Sequence, residues 1–219
     1  MTLEHETACS GTREALLEAG LICFAERGFE GASLRKVADR AGRTTSLIAH
    51  HFGNKEGLYL AVFNFMLARQ AGRAWSEPLV DAAELERDPD RAAALLRRLI
   101  VHQFLRMHGM CASADPLQCA SFHLWLTALN APVPGLEEVM KDWLRPLRLQ
   151  VAACVQALRP GLPAEEIPFW CSLVHGQCVM NTMMQGFNRL VFGPEAYPDS
   201  PELTAGLIAD VTLRAIGRA

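Results

Sequence analysis

The 219-residue chain contains no run of eighteen uncharged apolar residues, so no membrane-spanning helix is predicted. Its first twenty residues, MTLEHETACSGTREALLEAG, are acidic and lack the basic start and apolar stretch of a secretory leader. A cytoplasmic location is therefore expected. Gly-rich dinucleotide turns, Walker loops, zincin helices and nucleophile elbows are all missing, which leaves no cofactor fingerprint and no expected cofactor. Paired acids such as Glu137-Glu138 and Glu165-Glu166 stand at expected helix starts, where they complement the helix dipole rather than form an acid/base pair. A disulfide framework is also absent. The seven cysteines (9, 23, 111, 119, 154, 171 and 178) are odd in number and fall mostly in helical patterns, which suits reduced thiols. The chain has no basic surplus either. Its net charge is −3, which argues against a general nucleic-acid binder.

One segment reverses that last inference locally. Between Ser33 and Lys55 stand Arg35, Lys36, Arg40, Arg43 and Lys55 against Asp39, an excess of four positive charges. Affinity for a duplex needs a basic footprint, not a basic protein. The surrounding sequence, SLRKVADRAGRTTSLIAHHFGNKEGL, reads as two short helices across a tight turn, then the start of a longer helix. Ser33 can cap a helix beginning at Leu34, because its hydroxyl can accept from an otherwise unpaired backbone N–H. Val37, Ala38 and Ala41 share one face of it. Gly42 stands where that helix must end in a left-handed residue. Thr44 or Thr45 can cap the second helix, whose Ile48 and Phe52 are spaced to turn inward. Helix, glycine-containing turn, helix is the layout that presents its second helix to a major groove.

Val37-Ala38, Ala41-Gly42, Thr44, His50-His51-Phe52 and Lys55-Glu56-Gly57-Leu58, with Glu14-Ala15-Leu16-Leu17 and Phe24-Ala25-Glu26-Arg27-Gly28-Phe29 upstream, resemble the TetR family of bacterial transcription regulators. Two features depart from that pattern: Ala49 and His51 stand where the family often has tyrosines, and Leu47 stands where a small polar residue is common. Farther along, Leu129-Asn130-Ala131-Pro132, Leu144-Arg145-Pro146 and His175-Gly176-Gln177 resemble the C-terminal domain of a subgroup related to regulators of cephalosporin and chloramphenicol sensitivity.

Apolar periodicity and breaks at glycine and proline predict nine helices and no strands, an all-α chain, with helices over about 10–27, 34–41, 45–51, 55–75, 90–109, 116–129, 136–158, 164–191 and 201–216. Gly20, inside the first, is expected to permit close helix contact. The face of the fourth is expected to carry Leu58, Val62, Phe65 and Met66, and 76–89 is expected to be a loop or frayed turn. The division expected is a three-helix DNA-binding domain over 1–54, joined through the fourth helix to a helical effector-binding and dimerisation domain over 55–219.

The resemblance implies roles on DNA. Thr44 lies beside a phosphate at the recognition helix N-terminus. Thr45 faces base edges, with only apolar contact available from Leu47 and Ala49. His50, His51, Lys55 and Ser33 reach phosphates, and Arg43 is placed to meet a guanine edge. The partners implied are a double-stranded palindromic operator, a second copy of the chain and a small-molecule effector, with repression the commoner outcome in that family. Dimer faces are implied on the last two helices, with candidates Leu173, Val174, Cys178 and Met184 on one and Leu207, Ile208, Val211 and Ala215 on the other. The richness in Met and aromatics of the middle helices marks Phe104, Met107, His108, Met110, Phe122, Trp125, Leu126 and His175 as candidates for a mainly apolar effector site.

Three other readings stay open at this point. Cys171, His175 and Cys178, at i, i+4 and i+7, share a helical face and could bind zinc or copper or sense oxidants. A small helical enzyme using a Cys/His pair is a second reading. The third is a helical adaptor that has lost DNA binding through positions 47, 49 and 51.

Overall fold

The computed structural model describes residues 3–70, 78–130, 133–195, 198 and 200–217, with residues 3–10 as backbone alone. Among these there are ten α-helices and no strand: α1 (Leu3–Gly31), α2 (Leu34–Ala41), α3 (Thr45–Phe52), α4 (Lys55–Gln70), α5 (Ala82–Arg87), α6 (Pro89–Cys111), α7 (Pro116–Asn130), α8 (Leu136–Leu158), α9 (Ile167–Phe192) and α10 (Pro201–Ile216). The all-α expectation holds. The spans expected for α8 and α10 match the observed ones. The expected extension of α4 to Trp75 lies outside the described residues, as do Ala131 and Pro132.

Two boundaries differ for local reasons. α1 does not stop at Gly28. That residue adopts φ 67°, ψ 178°, a kink after which the chain makes a further turn to Gly31. The acidic segment expected as a loop contains α5, because the Asp81 carboxylate accepts from the Ala83 N–H at 2.9 Å and so caps a helix too short to show periodicity. A single 3₁₀ turn, Ala164–Glu166, precedes α9.

The helices gather into two compact units. The first holds α1 to α4 and α7; the second holds α5, α6, most of α8, α9 and α10. In the first, α1 lies against α2, α4 and α7. Its Leu16, Leu17, Leu21 and Phe24 are buried, as are Val37, Ile48, Leu58, Tyr59, Val62, Phe63 and Met66. Phe63, not the expected Phe65, completes the α4 core face, its ring centroid 5.8 Å from that of Trp125 on α7. Phe65 is half-exposed, with the Arg69 guanidinium 5.6 Å over its ring. Gly20 does mark a close approach, since a Cβ there would stand 2.8 Å from Val62 Cγ2. In the second unit α6 packs on α9 and α10, burying Leu95, Leu96, Leu99, Ile100 and Phe104.

Candidate nucleic-acid interface

The helix-turn-helix is built by local capping. The Ser33 hydroxyl accepts from the Lys36 N–H at 3.2 Å, starting α2. Gly42 ends it at φ 63°, ψ 36°, a left-handed conformation that costs glycine nothing. The next N–H, of Arg43, bonds the Ala38 carbonyl at 2.9 Å and closes the turn. Thr44 occupies the N-cap of α3 in extended conformation, but its hydroxyl pairs with Ser46 Oγ at 2.8 Å instead of a backbone N–H. The first-turn amides of α3 are therefore not occupied by that side chain, the arrangement an anion at a helix N-terminus exploits. Ile48 is fully buried and anchors α3; Phe52 is half-buried, with the Arg13 guanidinium 5.5 Å over its ring.

This anchoring leaves the opposite face outward. Arg43, Thr44, Thr45, Ala49 and His50 are exposed, Leu47 and His51 are half-exposed, and Ser33 is exposed at the start of α2. The His50 and His51 rings meet edge-on at 5.1 Å. The Arg43 guanidinium donates to its neighbour's Gly42 carbonyl at 3.1 Å, an exposed bond easily exchanged for another acceptor. Lys55 is held differently. Its Nζ donates to the Glu30 carbonyl at 3.1 Å and lies 4.7 Å from the Phe29 ring centroid. Arg40 ties α2 to α1 through both its terminal nitrogens, each 3.0 Å from Glu26 Oε1. The contacts of Arg13 and the tie of Lys55 to α1 had no counterpart in the sequence pattern, since both join residues distant along the chain.

The candidates expected for an effector separate between the two units. Phe122, Trp125 and Leu126, on α7, belong to the first, where Leu126 borders a cleft of about 530 Å³ with Tyr59 and the end of α1. Phe104, Met107, His108, Met110 and His175 belong to the second, where polar pairs cross from α6 to α9. Gln103 Nε2 meets His175 Nδ1, and Gln185 Nε2 lies 3.1 Å from His108 Nδ1. Arg106 is packed 4.7 Å over the Trp143 ring, and burial pushes its guanidinium down to about 10.

Cys171, His175 and Cys178 do not converge. The Cys171 thiol donates to the Arg148 carbonyl at 3.9 Å and the Cys178 thiol to the Ile100 carbonyl at 3.8 Å, while His175 is engaged with Gln103. Among the described residues no three His, Cys, Asp or Glu side chains are grouped to hold a metal ion. Burial raises both thiols, Cys178 to about 12, away from the reactive thiolate that oxidant sensing or nucleophilic catalysis needs.

Burial, with the Arg148 and Arg106 charges, pushes the His175 imidazole down to about 4. An unfolded chain takes up that proton near pH 6.5, so His175 costs no stability above that value and progressively more as the pH falls toward 4. Replacing His175 with Gln, which keeps an amide opposite Gln103, is expected to recover roughly 2–3 kcal/mol at pH 4.5 relative to pH 7. Urea unfolding at the two pH values measures it, and an unchanged acid loss would exclude the assignment.

Of the expected dimer residues, Val174, Cys178 and Ile208 lie in the core of the second unit, 1%, 0% and 5% exposed. Their helical rows turn toward α6 rather than outward. Leu207, Val211 and Ala215 are exposed, and Leu173 and Met184 are half-exposed. Leu203 extends the outward row of α10, while Met180, Met183, Phe187 and Leu190 form one on α9.

Comparison with known proteins agrees with this architecture. The family model described as bacterial regulatory proteins, tetR family, matches residues 16–62. The HTH-type transcriptional repressor AcnR of Corynebacterium efficiens is 38% identical over 96 residues, 43% of this chain and 51% of that protein. The HTH-type transcriptional dual regulator CecR of Shigella flexneri is 30% identical over 122 residues, 56% of this chain and 52% of that protein. The chain thus spans about half the length of the curated relatives it matches. The crystal structure of a transcriptional regulator from Rhodococcus sp. Rha1 superposes with a TM-score of 0.56 at 21% identity, covering 93% of this chain and 96% of that one, a likeness of fold. No described helix is long and apolar enough to cross a membrane. A capped helix-turn-helix with its second helix outward lies within residues 16–62, the part of the chain that is similar to the tetR family of bacterial regulatory proteins, and it continues into a helical body whose fold is like that of the Rhodococcus regulator.

Proposed function

We propose that the chain is a ligand-responsive transcriptional repressor that works in the cytoplasm, binds a palindromic operator as a homodimer and leaves it when a small, mainly apolar molecule binds the C-terminal part. Residues 1–54 read the DNA; residues 55–219 carry effector binding and dimerisation. The observation that carries the reading is the outward face of α3, presented by buried Ile48 beside an excess of positive charge. The naming of AcnR as a repressor supports repression.

The chemistry assigns roles residue by residue. Phosphate contacts set register: Ser33, Thr44, His50, His51 and Lys55 supply donors, and the α3 N-terminus supplies oriented amides. Base edges are met by Arg43 and Thr45, with Leu47 and Ala49 offering apolar contact to thymine methyls. One short helix covers too little duplex for useful selectivity, so two heads related by a two-fold axis are required. The exposed rows on α9 and α10 are the self-complementary face such an axis needs. The effector has only to favour the DNA-incompetent shape by about 1–3 kcal/mol to change operator affinity roughly 5–150-fold.

Duplexes selected by the protein from a random pool provide the test. Lys55→Ala is expected to weaken binding across sequences and lower the slope against salt by about one. Arg43→Ala is expected to relax preference at one base pair by about 1–3 kcal/mol. Unchanged slopes together with unchanged preferences would defeat these assignments, and failure to enrich any duplex would defeat the regulator reading.

A further inference from the structure

The cleft in the first unit shares Leu126 with the effector candidates and is otherwise lined by residues outside that set. Its floor and walls are mainly apolar: the rings of Phe29 and Tyr59, which meet edge-on at 5.2 Å, with Leu126, Val133 and Pro134. Its volume, about 530 Å³, is in the range of sites for small organic ligands. The polar groups of α7 along it are turned back on their own helix. Thr127 Oγ1 donates to the His123 carbonyl at 2.9 Å, and Asn130 Nδ2 donates to the Leu126 carbonyl at 2.9 Å. Among the described lining residues Arg27 is the one cation, exposed on the rim at the Gly28 kink. Its planar fork of donors matches a carboxylate. Glu30, on the same rim, disfavours a second negative charge on the occupant.

The wall of this cleft is also the anchor of Lys55. Phe29 carries the Lys55 ammonium against its ring, and the Glu30 carbonyl accepts a hydrogen bond from it. A molecule in the cleft would thus meet the two residues that hold Lys55 back along α1.

We infer that the cleft between the end of α1, Tyr59 and α7 is a second ligand site, built for a small aromatic monocarboxylate, and that its occupancy holds Lys55 on α1 and away from DNA. The effect on DNA rests on the role proposed for Lys55 at the operator; the site and its hold on Lys55 do not. Linkage requires that DNA weaken ligand binding by the factor by which the ligand weakens DNA binding.

The probe is 2-naphthoate, followed by its own fluorescence with the full-length protein, and 2-naphthol is its uncharged counterpart. Saturable naphthoate binding is expected, weakened about tenfold in Arg27→Gln, with naphthol binding unchanged by that substitution. Thr127→Trp, at an exposed lining position, is expected to block both. Saturating naphthoate is expected to slow acylation of Lys55, read by mass spectrometry, and to weaken a selected duplex about fivefold or more. Lys55→Ala, already weaker on DNA, is expected to show no further loss. The proposal is overturned by absence of saturable binding, by binding that both lining variants leave intact, or by Lys55 reactivity indifferent to naphthoate. If Lys55 is protected but no duplex is selected, the cleft stands and the DNA reading falls.

Discussion

Gly57→Ala is expected to unfold the junction between α3 and α4 and to abolish specific DNA binding. A Cβ on Gly57 would run into the Phe52 carbonyl oxygen, a backbone atom at the last residue of α3. No side-chain rotation relieves that clash. The chain must move, and the segment that moves also carries the Asn54 cap, whose Oδ1 accepts from the Gly57 N–H at 2.8 Å. Overpacking of this kind costs about 3 kcal/mol or more when the neighbour is backbone. For a chain of this length that lowers the unfolding midpoint by roughly 6–12 °C. Gly109→Ala, inside α6 with nothing within 4 Å of the added carbon, is the matched control. It is expected to be neutral or to stabilise by up to about 1 kcal/mol, since alanine is the better helix former. Thermal melts by circular dichroism compare the two. Equal melting of both variants would show that the α3–α4 joint yields more easily than its geometry implies.

The second large effect is expected from the double substitution Leu207→Glu, Val211→Glu. Each side chain is 55% exposed in the single subunit, so neither glutamate disturbs the core. On the proposed two-fold interface four carboxylates would then face one another, where the native side chains offer apolar surface to bury. The protein is expected to sediment as a monomer while keeping its helical content. Operator affinity is expected to fall about 100-fold or more, because the second head no longer binds at the high effective concentration that linkage provides. Sedimentation and anisotropy on one selected duplex read both effects. A variant that stays dimeric with undiminished affinity would place the interface elsewhere.

What was legible in the sequence was local. Ser33 and Gly42 marked both ends of α2 because capping and left-handed φ depend on neighbours within four residues. Proline and glycine breaks fixed α8 and α10 for the same reason. Periodicity told which rows of a helix are buried, but not against what. Val174, Cys178 and Ile208 were legible as apolar rows, yet whether a row meets its own chain or a second copy depends on neighbours far along the sequence. The effector candidates were divided between two units by the same ignorance of tertiary neighbours. Cys171, His175 and Cys178 show a further limit. A shared helical face spreads i to i+7 over about 10 Å of axis, too far to converge on one ion without a bend. The restraint of Lys55 by Glu30 crosses twenty-five residues and left no trace in the pattern.

The placement of α1 has one more outcome. Its apolar surface is shared between α2 and α4 on one side and α7, which arrives only after residue 115, on another. A fragment cut after Gln70 would leave that second surface wet, because the compact unit that contains the helix-turn-helix is discontinuous along the chain. A nascent chain that has not yet reached α7 is therefore expected to cover less of α1 than the finished one.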